Sequence, residues 1–242
     1  MSLSKRVKKK FSSAIIKYNL IENNDKILVA VSGGKDSLIM LKFLAEAREN
    51  FFKKYDIIAL HLKNELIENS KREEIAKYVK KFCEEQAVKL IIDELPVKTE
   101  SKKDKIGCFW CSWIRRKKIF ETAEKYNISK VALGHHKDDI IETLLLNLFY
   151  HGKFATMPVK LQIFDGKITI IRPMALIEEK EIEKLVKGLE IKTVKCACPF
   201  DGNTKREYIK NLINNLEKEF KNIRVSLFNS TNYEKIEKIY LN

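Results

Sequence analysis

Residues 25–37 read D-K-I-L-V-A-V-S-G-G-K-D-S. The apolar run within Asp25 to Ser32 has the length of a buried strand, and Gly33-Gly34 ends it. From Asp36 the apolar residues Leu38, Leu41, Leu44 and Ala45 recur at helical spacing. The stretch therefore predicts a strand, a tight turn and a helix. The glycine pair lets that turn approach a ligand closely, at the carboxyl end of a strand where open α/β sheets bind ligands.

The same alternation extends outward. Asp56 to Leu62 and Val88 to Leu95 predict strands, with a helix from about Lys71 to Gln86 between them. A loop carrying two cysteines precedes a helix that runs to about Tyr126. Lys130 to Leu133 begins a fourth strand, and a helix starts near Asp138. Leu161 to Ile171, with Asp165-Gly166 at the turn, predicts a hairpin. Glu178 to Leu189 and Lys205 to Phe220 are helical in pattern, as is the basic stretch Ser4 to Tyr18. This order predicts an α/β fold, a parallel twisted sheet with helices on both faces. Residues 1–20 form a basic helix packed on the core, and residues 21–242 a single domain with a helical extension from about residue 176.

The 242 residues are 45% hydrophobic, enough for a core, and 33% charged, with a net charge of +14. Excess lysine is often a solubility device, but an excess this large makes a polyanion, nucleic acid first, the leading partner class. No apolar run approaches the ~20 residues that span a bilayer. No signal-type apolar core follows basic Met1 to Lys10. The expectation is a cytoplasmic protein without a membrane partner. In a reducing compartment Cys83, Cys108, Cys111, Cys196 and Cys198 are read as ligands, catalysts or packing rather than as a disulfide framework. Cys83 shares a helical apolar face with Val79 and Phe82 and reads as packing.

Three clusters carry chemistry. In Ser32-Gly33-Gly34-Lys35-Asp36-Ser37 the glycines allow an anion nest of backbone N–H groups, the following helix adds its positive end, and Lys35, Ser32 and Ser37 add donors. The spacing is neither a Walker A loop nor G-x-G-x-x-G. Leu133 to Leu146 reads L-G-H-H-K-D-D-I-I-E-T-L-L-L. Asp138 and Asp139 suit helix capping, but two carboxylates beside two histidines also suit magnesium and proton handling. Residues 107–116 read G-C-F-W-C-S-W-I-R-R, and K-C-A-C-P-F follows at 195–200. C-x-x-C plus C-x-C could close a zinc site or hold an iron–sulfur cluster. A dithiol redox role is weaker beside Arg115 and Arg116, which would contact RNA phosphate or form a solvated helix face. Phe109, Trp110 and Trp113 read as core or as a dry wall around a site, and a flipped base could use one of them.

S-G-G-K-D-S after an apolar strand resembles the pyrophosphate loop of the PP-loop ATP pyrophosphatases, and G-H-H-x-D-D-x-x-E-T resembles the second motif of their tRNA-modifying members. Cys108-x-x-Cys111-Ser112-x-x-Arg115-Arg116, Asn147-Leu148-Phe149, Gly152-Lys153, Met157-Pro158-x-Lys160-Leu161 and Ile171-Arg172-Pro173-Met174-Ala175 narrow the resemblance to the tRNA 2-thiocytidine synthetases, from about Lys5 to Phe228. That resemblance implies a PP-loop, Rossmann-type fold and an AMP- and pyrophosphate-forming tRNA sulfurtransferase. The partners it implies are tRNA and a sulfur donor, either a persulfide carrier or sulfide, and a homodimer is compatible with it.

The resemblance also assigns residues. Ala30, Val31, Ser32, Gly33, Gly34, Lys35, Asp36, Ser37, Gly134, His135 and Asp138 would bind ATP and Mg²⁺. Lys35, Asp36 and Asp139 would form the catalytic set. Cys108, Cys111 and Cys198 would hold a [4Fe-4S] cluster with one iron open to sulfide, and Cys196 is the less favoured or fourth ligand. Two features depart from the family pattern. C-A-C-P-F-D-G-N has one residue fewer between the cysteines, and the loop around Asn64 to Ser70 is shorter. A lysidine-synthetase-like or other amidating ligase with structural zinc, and a non-catalytic RNA-binding or sulfur-carrier module, are the alternatives.

Overall fold

The computed structural model describes residues 1–50, 54–97, 107–194 and 205–231. Six strands form one sheet in the order β3-β2-β1-β4-β6-β5. These are β1 (Asp25–Ala30), β2 (Tyr55–Asn64), β3 (Lys89–Leu95), β4 (Lys130–Ala132), β5 (Lys160–Ile163) and β6 (Ile168–Ile171). All neighbours are parallel except β5 and β6, which pair antiparallel as the expected hairpin. Its turn carries positive φ at Phe164, Asp165 and Gly166.

The helices among the described residues are α1 (Leu3–Lys17), α2 (Lys35–Asn50), α3 (Asn69–Glu85), α4 (Cys108–Lys125), α5 (Lys137–His151), α6 (Glu179–Gly188), α7 (Lys205–Glu219) and α8 (Ile223–Ser230). Along β1 the faces alternate with period two. Ile27 and Val29 join one buried cluster with Phe11 of α1, Leu41 of α2, Val79 of α3 and Leu185 of α6. Leu28 joins the opposite cluster with Ile119 and Ala123 of α4. Both faces are therefore covered, which is why the central strands read as continuous apolar runs. Cys83 is fully buried in the first cluster, and burial pushes its thiol up to about 12, so it packs rather than reacts.

Two features differ from the sequence reading. C-F-W-C does not lie in a loop before a helix: Cys108 opens α4 and Cys111 is one turn in, because Gly107 (φ −170°) supplies the extended residue that starts it. Helix α8 falls in the expected helical extension but beyond its last patterned helix, because it exposes all its residues at least in part and so lacks an apolar stripe. Together α7 and α8 pack on α5, with Ile209 and Ile213 buried against Ile141 and Leu145, and Leu227 and Phe228 alongside.

The strand order places a topological switch point between β1 and β4. From β1 the chain proceeds outward through β2 and β3, then returns to the other side of β1 as β4. Loops leaving adjacent parallel strands in opposite directions open a crevice at their carboxyl ends.

Candidate active site

The turn after β1 and the strand end after β4 flank that crevice. Gly33 takes φ +87°, a conformation costly for residues with a Cβ. Ser32 and Ser37 hydroxyls lie 3.2 Å apart, the Ser37 hydroxyl also receives the Ser32 N–H, and Ser32 Oγ accepts from Gly34 N–H at 3.3 Å. These bonds tie the turn into a ring at the start of α2, where N–H groups and the helix dipole favour an anion. On β2 the buried His61 ring lies 2.8 Å from the Val31 carbonyl and holds the strand end beneath the turn.

Gly134 meets this turn. A Cβ there would stand 3.2 Å from Ser37 N and 3.3 Å from Asp36 C, so only glycine lets the β4 end lie against the α2 start without displacement. The contact brings His136 to both carboxylates predicted for catalysis: its Nε2 is 3.9 Å from Asp36 Oδ1 and 3.5 Å from Asp139 Oδ2. His136, not an aspartate, is the N-cap of α5, and Asp139 accepts its backbone N–H at 2.8 Å.

Asp36 Oδ1 is buried and has no hydrogen-bond partner among the described residues. Burial raises the Asp36 carboxyl above its ordinary range, against the pull of His136 and Lys35. A buried acceptor without a donor, beside an anion nest, suits a hard divalent cation and so fits Mg²⁺. Asp139 goes the other way: burial opposes its charge, but His136, Arg206 and His135 hold it below the usual carboxylate range.

His135 accepts on Nδ1 from Arg172 Nε at 3.3 Å, which leaves its proton on Nε2. Burial pushes its pKa down to about 4, with Arg172 and Arg206 adding to the effect. The ring is a neutral donor near pH 7.

Lys35 Nζ lies 3.0 Å from Glu179 and 3.4 Å from Asp36. Glu179 also binds Lys210 at 2.6 Å, and although its burial opposes ionisation the two lysines hold it down to about 2. Asp138, expected beside the nucleotide, bonds two neighbouring helices. It accepts the Glu179 N–H at 2.7 Å and pairs with Arg224, so it joins α5 to α6 and α8. Arg206, in the first turn of α7, bonds Asp139 and lies 2.7 Å from Glu142.

Nothing in the sequence pattern gives Glu179, Arg206, Lys210 or Arg224 a role, Arg172 stands there only as a landmark, and His136 only as one of the two histidines of its motif. A lone charged residue on a helix has no local pattern that separates it from a solvated face. For Arg206 and Arg172 the adjoining motifs N-x-x-R and I-R-P-M-A were the available signal.

Cys108 is exposed and Cys111 buried, three residues apart on one helix face at the carboxyl edge. Cys111 packs with Leu95, Val97 and Ile114, and its sulfur lies 3.8 Å from both Asn64 Nδ2 and Arg115 Nη2. Arg115 thus turns back toward the cysteine, while Arg116 stays exposed without a described bond to it. Two side-chain donors on one sulfur suit a thiolate ligand. Cys196 and Cys198 lie outside the described residues. The chain on either side of them is anchored here: Val194 N–H donates to Gly33 O at 3.0 Å, and Arg206 holds Asp139 and Glu142.

A nucleotide-type anion nest at the switch point of a parallel sheet, with a paired carboxylate and histidine across from it, defines a nucleotide-activating α/β enzyme. Residues 3–217 match the PP-loop domain model, and the chain belongs to the PP-loop family. Within that family it is similar to the tRNA-cytidine(32) 2-sulfurtransferase of Paraburkholderia phytofirmans, 37% identical over 94% of this chain and 68% of the relative. It is also similar to that of Histophilus somni, 35% identical over 90% and 69%. The solved structure of the U34-tRNA thiolase NcsA from Methanococcus maripaludis with its [4Fe-4S] cluster superposes with a TM-score of 0.80 at 26% identity, covering 97% of this chain and 79% of that one. Among the described residues no helix is long and apolar enough to cross a membrane.

Proposed function

We propose that this protein is an ATP-dependent tRNA thiolase that forms 2-thiocytidine in the anticodon loop and releases AMP and pyrophosphate. The observation that carries the reading is the placement of Cys108 and Cys111 at the same sheet edge as the Ser32–Ser37 nest. That edge joins a nucleotide-activating site to a soft-ligand site, a combination that base thiolation requires and an amidating ligase does not. Sequence relatives act on cytidine by name, and their identity to this chain exceeds that of the uridine thiolase, which favours cytidine.

In this reading the base oxygen attacks the α-phosphorus of ATP, pyrophosphate leaves, and sulfide then displaces AMP at the base carbon. Backbone N–H groups of Gly33 and Gly34, with the Ser32 and Ser37 hydroxyls, bind the phosphates. Lys35 exchanges part of its pairing with Glu179 for the departing pyrophosphate. The neutral His135 donates from Nε2 to the nucleotide, and Asp139 fixes His136 against Asp36. Mg²⁺ at Asp36 would neutralise phosphate charge. A [4Fe-4S] cluster held by Cys108, Cys111 and Cys198 would supply the open iron site for sulfide, which comes from a persulfide carrier or from free sulfide.

Nucleoside mass spectrometry of tRNA from a strain lacking the gene tests the reading. Loss of 2-thiocytidine is the expected result. Loss of a thiouridine instead would reassign the base, and an unchanged thionucleoside profile would remove the thiolase function.

A further inference from the structure

The rings of Phe109, Trp110 and Trp113 form a connected group beside the two cysteines. Phe109 and Trp110 meet edge to face at 5.8 Å (86°), as do Trp110 and Trp113 at 5.8 Å (71°). In sequence the three rings read as core or a dry wall, yet Phe109 is 69% exposed and Trp113 44% exposed. Large rings left in water on the first two turns of a helix need a reason, because burying them would stabilise the fold. Edge-to-face packing also avoids the parallel sandwich that would cover both faces of a ring.

The first three turns of the helix carry charge of one sign, with Lys117 paired to Glu121 at 3.8 Å and Lys118 to Asp93 at 3.1 Å at their far end. From Cys108 to Lys118 the helix carries Arg115, Arg116, Lys117 and Lys118 and no acidic residue. Lys117 Nζ stands 5.9 Å from the Trp113 ring centre. Exposed aromatic faces flanked by cations match single-stranded nucleic acid, which offers a π-face per base and a phosphate per nucleotide. They match duplex RNA poorly, because its bases are stacked on one another.

We propose that Phe109 and Trp113 are a stacking platform for unpaired anticodon-loop bases, holding the loop open next to Cys108 and Cys111. This rests on the thiolase reading and deepens it. The platform keeps neighbouring bases out of the helical stack, so that the target base reaches the sulfur site while Arg116 holds the backbone.

The test measures fluorescence anisotropy of a labelled anticodon stem-loop and of a labelled duplex of the same stem, at one salt concentration. The proteins are wild type, Phe109→Ala, Trp113→Ala, Trp113→Phe and Phe164→Ala. Phe164 is an exposed ring on the β5–β6 turn at the opposite sheet edge and serves as control. Phe109→Ala and Trp113→Ala are expected to weaken stem-loop binding about tenfold each and duplex binding little, with Trp113→Phe largely restored and Phe164→Ala unchanged. Equal affinity of both alanine variants for the stem-loop would overturn the platform while leaving the thiolase reading intact. Normal stem-loop binding with turnover lost on a protein sulfur donor but kept on inorganic sulfide would also overturn it, in favour of a protein partner. Failure of wild type to bind any tRNA would remove both readings.

Discussion

Gly134 and Ser37 lie so close that a Cβ on Gly134 would stand 3.2 Å from the Ser37 backbone nitrogen. This contact locks the β4 strand end to the Ser32–Ser37 turn and sets the spacing of His136 and Asp36. Gly134→Ala must displace backbone rather than a side-chain tip. The expected stability loss is about 1–3 kcal/mol. ATP affinity, measured by calorimetry, should fall by more than that loss of fold alone implies.

Asp36→Asn keeps the size of the side chain but removes the charge that a cation at the buried Oδ1 needs. Because burial already disfavours the charged form, the variant should fold at least as well as wild type. Its tRNA-dependent AMP formation should drop about 100-fold or more, with the Mg²⁺ response lost. Retained turnover would exclude Asp36 from the catalytic set.

Arg206→Ala leaves Glu142 and Asp139 without their shared cation in a largely buried site. Urea unfolding should show a loss of about 1–3 kcal/mol, discounted because the arginine is itself partly exposed. Arg206→Lys should recover only part of it, since an ammonium cannot reproduce the forked contact with two carboxylates.

Glu179 ionises at about 2 in the fold, against an ordinary value near 4.5. Between these values the unfolded chain binds more protons than the folded one, so this contribution is complete above about pH 4.5 and is lost as pH falls toward 2. Screening leaves it on the order of 2 kcal/mol. Asp139, Glu178 and Glu217 are shifted in the same direction and add to the slope. Denaturant melts at pH 6 and pH 3 should show Glu179→Gln with a shallower acid loss than wild type.

Anaerobically purified Cys108→Ser or Cys111→Ser should lose most iron and acid-labile sulfide. Cys83→Ala, altered deep in the core, should keep both while losing about 1 kcal/mol of stability. Zinc in place of iron in wild type would overturn the cluster assignment.

The turn and the strand end that meet at this site are legible in the sequence. The Ser32–Ser37 turn and the Gly134 strand end announce themselves because their glycines, caps and apolar flanks obey local rules. Glu179 and Arg206 do not. Their importance comes from the Lys35 amine and the Asp139 carboxylate, 144 and 67 residues away in sequence. Asp138 combines both kinds of signal: its motif position is local, whereas its ion pair to Arg224 of α8 comes from 86 residues away in sequence.

The sequence by itself determined the alternating elements, the hairpin at Asp165-Gly166, the tight Ser32–Ser37 turn and the cysteine pair, because strand and helix periodicity and glycine geometry act over a few residues. Only the tertiary structure decided which charges neutralise one another across α5, α6, α7 and α8, and that His135 is a neutral donor. It also decided that Cys108 and Cys111 open a helix, and that Phe109 and Trp113 face water. Burial and ion pairing depend on what the rest of the chain brings alongside a residue, and neighbours in space leave no mark on neighbours in sequence.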